Sequence, residues 1–276
     1  MKLADKLAAD RPVGGWCSIP SPTVAEAMAN QAFDFLAVDT EHAPTTTESV
    51  ENLVRAVDAA PGDTETIVRV AWNDHVRIKR VLDTGISGVM APRIESAEEA
   101  RELVRACRYP PQGDAAAGPA GEAVDSDGIR GRRGVAAARA SDYGARLDEV
   151  VRTVNDDLAV IAQIETGAAV DAAAEIAAVP GIDALFVGPA DLSASLGCFR
   201  EFDDPEFEAA VADTLAAGDE AGVPVGTLAT SEERIDAWLD AGFDFLIAGT
   251  DAGFLADGAS RAIDRYEEHV DRDGRV

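Results

Sequence analysis

The chain has 276 residues, with 51 acidic side chains against 24 basic ones and a formal charge of −27. That balance repels nucleic-acid phosphates and anionic membrane surfaces, so neither is an expected partner, and acids spread along the whole chain read as an adaptation to high salt, where screening relieves their self-repulsion. Cys17, Cys107 and Cys198 are far apart and odd in number, which suits neither a zinc site nor a disulfide framework, and the first ten residues lack an apolar signal core, so a cytoplasmic location is expected.

Leu3 and Leu7, four apart, predict a short helix that Arg11-Pro12 ends. A strand from Val13 to Ile19 and a helix reaching Asn30, capped by Ser21 or Thr23, follow. Phe33 to Asp39 is an apolar, β-prone run that leads straight into Thr40-Glu41-His42-Ala43-Pro44, a cluster of ionisable groups. Thr45 to Ala60 reads as a helix stopped by Pro61-Gly62, and Thr66 to Val70 as a strand interrupted by Arg69. Asn73-Asp74 caps a helix to Asp83, Ile86 to Met90 is a strand, and Ser96 opens a helix to Cys107 with Glu98 and Glu99 in its first turn. The only lysines are Lys2, Lys6 and Lys79, and none ends an apolar strand, which disfavours Schiff-base chemistry.

From Tyr109 to about Ala140 regularity lapses. Gln112 to Asp127 has Val124 as its one large aliphatic side chain and cannot offset its ordering entropy, which predicts a mobile surface insertion. A helix then spans Ala145 to Asn155, and the strand Leu158 to Ile164 delivers Glu165. Thr166 or Gly167 opens a helix to Val179, and the strand Asp183 to Val187 closes on Gly188-Pro189-Ala190-Asp191-Leu192-Ser193. A helix from Asp204 to Ala221, a strand from Val223 to Thr227, a helix from Ser231 to Ala241, a strand from Phe243 to Ala248 and a helical tail complete the chain. About eight short strands, apolar on both faces and alternating with helices, predict a single (β/α)8 TIM barrel over residues 1–276. A doubly wound sheet would want a G-x-G-x-x-G turn after its first strand, and there is none. Phe33-Asp34-Phe35-Leu36, Ile182-Asp183-Ala184-Leu185 and Phe243-Asp244-Phe245-Leu246 echo one another, which reads as a preference of these helix-to-strand junctions for an acid.

Placed on that barrel, the unusual residues gather at the C-terminal end of the strands, where barrel chemistry resides. Asp39, Glu41 and His42 follow strand two, Arg69 lies in strand three, Gln163 and Glu165 belong to strand five, and Gly188 to Asp191 follow strand six. Glu165 and Asp191, two carboxylates without neighbouring cysteine or histidine, suit a hard divalent ion such as Mg²⁺ or Mn²⁺ that keeps open positions. Each acid alone could equally cap a helix, Arg69 could be a buried ion-pair partner, and Trp16 and Trp72 could simply pack.

The motifs together add a family likeness. Gly15-Trp16, Asp39-Thr40-Glu41-His42-Ala43-Pro44, Val68-Arg69, Trp72-Asn73-Asp74, Leu82-Asp83-Thr84-Gly85, Arg108-Tyr109-Pro110-Pro111, Gln163-Ile164-Glu165-Thr166 and Gly188-Pro189-Ala190-Asp191-Leu192-Ser193 resemble the metal-dependent pyruvate aldolases typified by 4-hydroxy-2-oxoheptanedioate aldolase. The resemblance implies a lyase that cleaves a 4-hydroxy-2-oxo acid to pyruvate and an aldehyde with Mg²⁺, Mn²⁺ or Co²⁺ held by Glu165 and Asp191. It implies that Gln163 and the Gly188-Pro189-Ala190-Asp191 turn, beside Trp16, contact the pyruvate half. Arg69 would stabilise the enolate, and His42 would be the acid/base with Asp83 raising its basicity. Asp83 and His42 fall at opposite ends of one barrel, so their pairing implies a homo-oligomer with sites at subunit interfaces. Sugar-acid aldolases of the same family share these motifs, coenzyme A thioester lyases are more distant, and an oxo-acid-binding barrel without activity is the alternative from another class. The chain departs from the family where Gln112 to Asp127 separates Tyr109-Pro110-Pro111 from Gly128-Ile129-Arg130-Gly131, which bears on the lid and on the aldehyde accepted.

Overall fold

Eight short parallel strands close into a barrel in a computed structural model, which describes residues 2–9, 11–111, 116–117, 123–124 and 128–272. The strands are β1 Val13–Cys17, β2 Phe35–Asp39, β3 Glu65–Arg69, β4 Gly88–Ala91, β5 Ala159–Ile164, β6 Ala184–Val187, β7 Val225–Ala229 and β8 Phe245–Thr250. Each pairs with its neighbours in chain order, and β1 closes the ring by pairing with β8.

Alternation along the strands sorts the side chains into two cores. Phe35, Ala37, Ile67, Met90, Ile161, Phe186, Phe245 and Ile247 fill the barrel, whereas Leu36, Val38, Val68, Val89, Val160, Leu185 and Val187 face the surrounding helices. The interior is crowded by aromatic rings, and Gly14 and Gly226 make room for them: a Cβ at either would stand 2.2 Å from the ring of Phe35 or of Phe245. Helix α1 Leu3–Ala9 seals the N-terminal opening, because Leu3 and Leu7 join the interior cluster and are buried.

The acids of the three echoing junctions all make the same contact. Asp34 accepts from the amide of Val13 at 2.9 Å, Asp183 from Val160 at 2.8 Å and Asp244 from Val225 at 2.8 Å. In each case the acid's own N–H returns a bond to the same residue's carbonyl at 2.9 Å. A carboxylate one residue before a strand thus clamps the start of the preceding strand, satisfying an amide that would otherwise lie beyond the ladder. Between β3 and β4 the parts are exchanged: the Ser87 hydroxyl donates to the Glu65 carboxylate, and the Ser87 amide donates to Thr66 O at 2.9 Å.

Helices start at the expected Asp74 and Ser96 and also at Thr46, Asp204 and Ser231, each side chain accepting from an amide of the first turn. They open α3 Thr47–Ala59, α4 His75–Leu82, α5 Ala97–Cys107, α10 Pro205–Ala221 and α11 Glu232–Ala241; α2 Pro22–Ala29 and α6 Leu147–Asp157 complete the outer ring described so far. Ser21 stands at the cap position of α2, but its side chain makes no capping bond, and Pro22 occupies the first helical position. The single helix expected from Thr166 to Val179 is two, α7 Gly167–Asp171 and α8 Ala173–Ala177. Pro189–Ser195, after β6, forms a further short helix, α9. The predicted tail is α12 Asp251–Arg272. Most of the expected insertion, residues 112–127, lies outside the described residues; its described parts, Ala116–Ala117 and Ala123–Val124, pair antiparallel apart from the barrel. Among the described residues no helix is long and apolar enough to cross a membrane.

Candidate active site

The alternation that fills the barrel with Phe35 and Ala37 carries Asp39 inward at the last residue of β2, and the alternation through Ile67 carries Arg69 inward at the end of β3. Ile161 is followed in the same parity by Gln163 and Glu165, and Phe186 by Gly188. Parallel pairing then sets Asp39 beside Arg69 in register. Four strands of one barrel therefore deliver their polar ends to one mouth.

Arg69 is the buried cation of this group, 7% exposed. Its Nε donates to Asp39 Oδ1 at 3.0 Å and its Nη2 to Oδ2 at 2.9 Å, a two-pronged pair. Nη1 lies 2.9 Å from Glu41 Oε2, and the guanidinium stacks 4.6 Å from the ring centre of Trp16. Asp39 also accepts from the Glu41 amide at 2.9 Å, so one carboxylate fixes both the arginine and the loop after β2. The sequence places Asp39 and Glu41 at this mouth but assigns neither a role. The signal for them is their spacing: two apart at a strand end, they share a face, and Asp39 is the register partner of Arg69.

Glu165 is buried at 3% exposure. Its Oε2 accepts from Gln163 Nε2 at 2.5 Å and its Oε1 from the Arg93 amide at 2.9 Å, while Gln163 Oε1 is buried without a partner among the described residues. Burial first, then the charges of Asp191 and Glu41, push the Glu165 carboxyl up to about 7, against the opposing Arg93 amide and Arg69. Burial likewise raises Glu41, with Arg69 and His42 opposing and Asp39 and Asp191 reinforcing. These mutual effects place Glu41, Glu165 and Asp191 within one electrostatic neighbourhood. Asp191 itself is exposed, in the first turn of α9. Among the described residues no three His, Cys, Asp or Glu side chains converge as a ligand cluster. The chemistry of this donor set fits a hard divalent cation: the carboxylates are all-oxygen donors, the single buried arginine is already engaged, and Gln163 Oε1 is unspent.

His42 lies on the loop beyond Glu41 with its side chain 70% exposed, Nε2 3.8 Å from Glu41 Oε1. Pro189 opens α9, Ala190 is exposed beside it, and Trp16 lies under Arg69. Asp83 is not in this group. It caps the C-terminus of α4, ahead of β4, and so stands at the opposite end of the barrel from His42, beside the buried Arg133. Its Oδ1 is buried without a hydrogen-bond partner among the described residues, and burial raises its carboxyl, with Arg133 and Lys79 opposing.

A closed parallel barrel with its ionisable cluster at the C-terminal mouth is the architecture of a (β/α)8 enzyme. A profile of the HpcH/HpaI aldolase/citrate lyase family matches residues 13–257. The chain belongs to this family, and it is a lyase. It is 38% identical to a 4-hydroxy-2-oxovalerate aldolase of Novosphingobium aromaticivorans, over 96% of this chain and 93% of that one. It is equally 38% identical to a 4-hydroxy-2-oxo-heptane-1,7-dioate aldolase of Klebsiella pneumoniae, over 96% and 94%. The crystal structure of an HpcH/HpaI aldolase/citrate lyase family protein from Burkholderia cenocepacia superposes with a TM-score of 0.85 at 37% identity, covering 96% of this chain and 98% of that one.

Proposed function

We propose that the protein reversibly cleaves a 4-hydroxy-2-oxo acid to pyruvate and an aldehyde, with residues of this mouth in defined roles. The observation that carries the reading is the inward-facing set of Arg69, held by Asp39 and Glu41, with Gln163 and Glu165, bonded to each other, where cleavage must be stabilised. Breaking the C3–C4 bond leaves negative charge on the pyruvate half as an enolate. Arg69 is fixed in place by two acids, and the N–H groups of Nη1 and Nη2 not used by those acids remain for the developing oxyanion. Glu165 and Asp191 would hold a divalent cation, Mg²⁺, Mn²⁺ or Co²⁺, which when bound supplies the positive charge that stabilises the enolate. Gln163 and the Gly188-Pro189-Ala190-Asp191 turn would orient the pyruvate carboxylate, and Trp16 would wall the pocket beneath Arg69.

His42 takes the proton of the 4-hydroxyl during cleavage and returns one in the condensation direction, directly or through water. Asp83 supports His42 from a neighbouring subunit in a homo-oligomer, which is compatible with its position at the other end of its own barrel and with its unpartnered Oδ1. The test is pyruvate release from a panel of 4-hydroxy-2-oxo acids with and without Mg²⁺. Metal-dependent release is expected; no release from any member of the panel would overturn the reading.

A further inference from the structure

Outside the mouth, a cavity of about 420 Å³ opens between the start of α3 and the side of α4. Its polar lining is Thr40, Thr45, Thr46, Thr47, Arg77 and Arg80, over an aliphatic floor, and no aspartate or glutamate lines it. In a chain with 51 acids and 24 bases such a wall is unusual. Most arginines of the surface are matched to carboxylates, as Arg55 is to Glu51, Arg105 to Glu102 and Arg146 to Glu149. Arg77 and Arg80, three apart on one face of α4, have no side-chain partner among the described residues. Helix chemistry accounts for Arg80, in the last turn of α4, but not for Arg77, which lies in the first turn, where a positive charge opposes the helix dipole. Thr45 adds a hydroxyl that is shielded from solvent and lacks a partner among the described residues.

The cavity adjoins the catalytic machinery through the backbone. Thr40 stands between Asp39 and Glu41, the two partners of Arg69, and its hydroxyl donates to the Arg69 carbonyl at 2.7 Å. Val70 and Ala71, which follow Arg69, form part of the floor. A ligand here would lie against the rear of the loop that presents His42.

We propose that this cavity is an anion subsite in which Arg77 and Arg80 bind the carboxylate or phosphate group of a small molecule. Two guanidiniums suit such a group through paired N–H donors, and threonine hydroxyls complete the shell. Were that molecule the aldehyde half of the substrate, the assignment would rest on the aldolase reading; anion binding itself does not.

The experiment compares the wild type with Arg77→Gln/Arg80→Gln, both exposed positions whose change leaves the core untouched. Condensation of pyruvate is measured with a four-carbon aldehyde ending in a carboxylate and with butanal. Inorganic phosphate binding is measured separately by calorimetry at ionic strength held constant with chloride. A fall of at least tenfold in the kcat/KM ratio of charged over uncharged aldehyde assigns the subsite to substrate. Loss of phosphate binding in the variant with an unchanged ratio assigns it to a free anion. An unchanged ratio together with no phosphate binding by the wild type overturns the proposal. Wild type that condenses neither aldehyde while still binding phosphate would overturn the aldolase reading and leave the anion site standing.

Discussion

Gly188 approaches Glu165 so closely that a Cβ at position 188 would stand 2.8 Å from the carboxylate Oε2 and 2.8 Å from Gln163 Nε2. The backbone there is ordinary, with φ −87 and ψ 93, so glycine is required for space and not for conformation. Gly188→Ala is therefore expected to fold with little loss of stability while displacing the Glu165 carboxylate. A shift of about 1 Å at such a group can cost on the order of 100-fold in turnover. Steady-state kinetics alongside thermal unfolding checks this, and an alanine variant with normal kcat would show that the carboxylate has slack.

Arg69 and Asp39 form a pair with side chains 9% and 4% exposed. Removing one partner leaves the other charge buried, so Arg69→Ala is expected to cost about 3–5 kcal/mol in denaturant unfolding. Arg69→Lys keeps the charge but loses the two-pronged geometry, and should recover part of that stability with turnover still severely reduced. A loss below about 1 kcal/mol in the alanine variant would mean that the mouth relaxes around the vacancy.

Asp183 gives a pH dependence whose sign is opposite to that of a salt-bridged acid. Burial pushes its carboxyl up to about 6 from an ordinary 3.8, against the Val160 amide and Arg108. Below the lower value both folded and unfolded chains hold the proton and nothing is lost. As pH rises towards 6 the unfolded chain ionises first, so stability falls, and above 6 the full cost of about 3 kcal/mol is in place. Asp183→Asn keeps an acceptor for the Val160 amide without the charge. It should stabilise the protein at pH 7.5 and make no difference near pH 4, measured by urea unfolding at fixed ionic strength. Equal shifts at both pH values would point away from the charge.

Treatment with a chelator should abolish turnover, and readdition of Mg²⁺ or Mn²⁺ should restore it, because the mouth has acids in excess of its one buried cation. Borohydride in the presence of pyruvate should leave the chain unlabelled by mass spectrometry. A pyruvyl adduct on Lys79, which lies on α4 and not at a strand end, would replace the metal mechanism with an imine one.

Subunit mixing tests the role of Asp83. Inactive His42→Ala and Asp83→Asn chains, exchanged into common oligomers, should regain activity at sites that receive an intact residue from each parent. Verified exchange without recovery would confine Asp83 to its own barrel, where it caps α4.

The barrel and the polarity of its mouth were legible because two-residue alternation and strand-end acids are local signals: Phe35, Ala37 and Asp39 announce the inward face before any contact is known. Arg69 and its two acids were legible at the strand ends, but not the salt bridges that join them, since the pairing of Asp39 with Arg69 belongs to the register between strands. The break at Ala172 left no trace because the run Gly167 to Ala178 contains no helix-breaking residue beyond its start; Ala172 takes φ −98, ψ 1 where α8 turns to pack on α10. The space at Gly188 depends on the rotamers of side chains from another strand and could not be read from position 188 alone.

At the strand starts, clamps between a carboxylate and the neighbouring strand tie β1 to β2, β3 to β4, β5 to β6 and β7 to β8, whereas the Arg69–Asp39 pair joins β2 to β3 at the opposite end and the Thr227 hydroxyl donates across from β7 to Val187 of β6. At its N-terminal face the barrel is thus clamped as four two-strand modules with four seams between them. Residues 112–127 fall at the seam between β4 and β5, and α12 departs at the seam between β8 and β1. Extra chain enters at these seams without severing a clamp, so loop grafts between whole modules should preserve the fold where cuts inside a module would not.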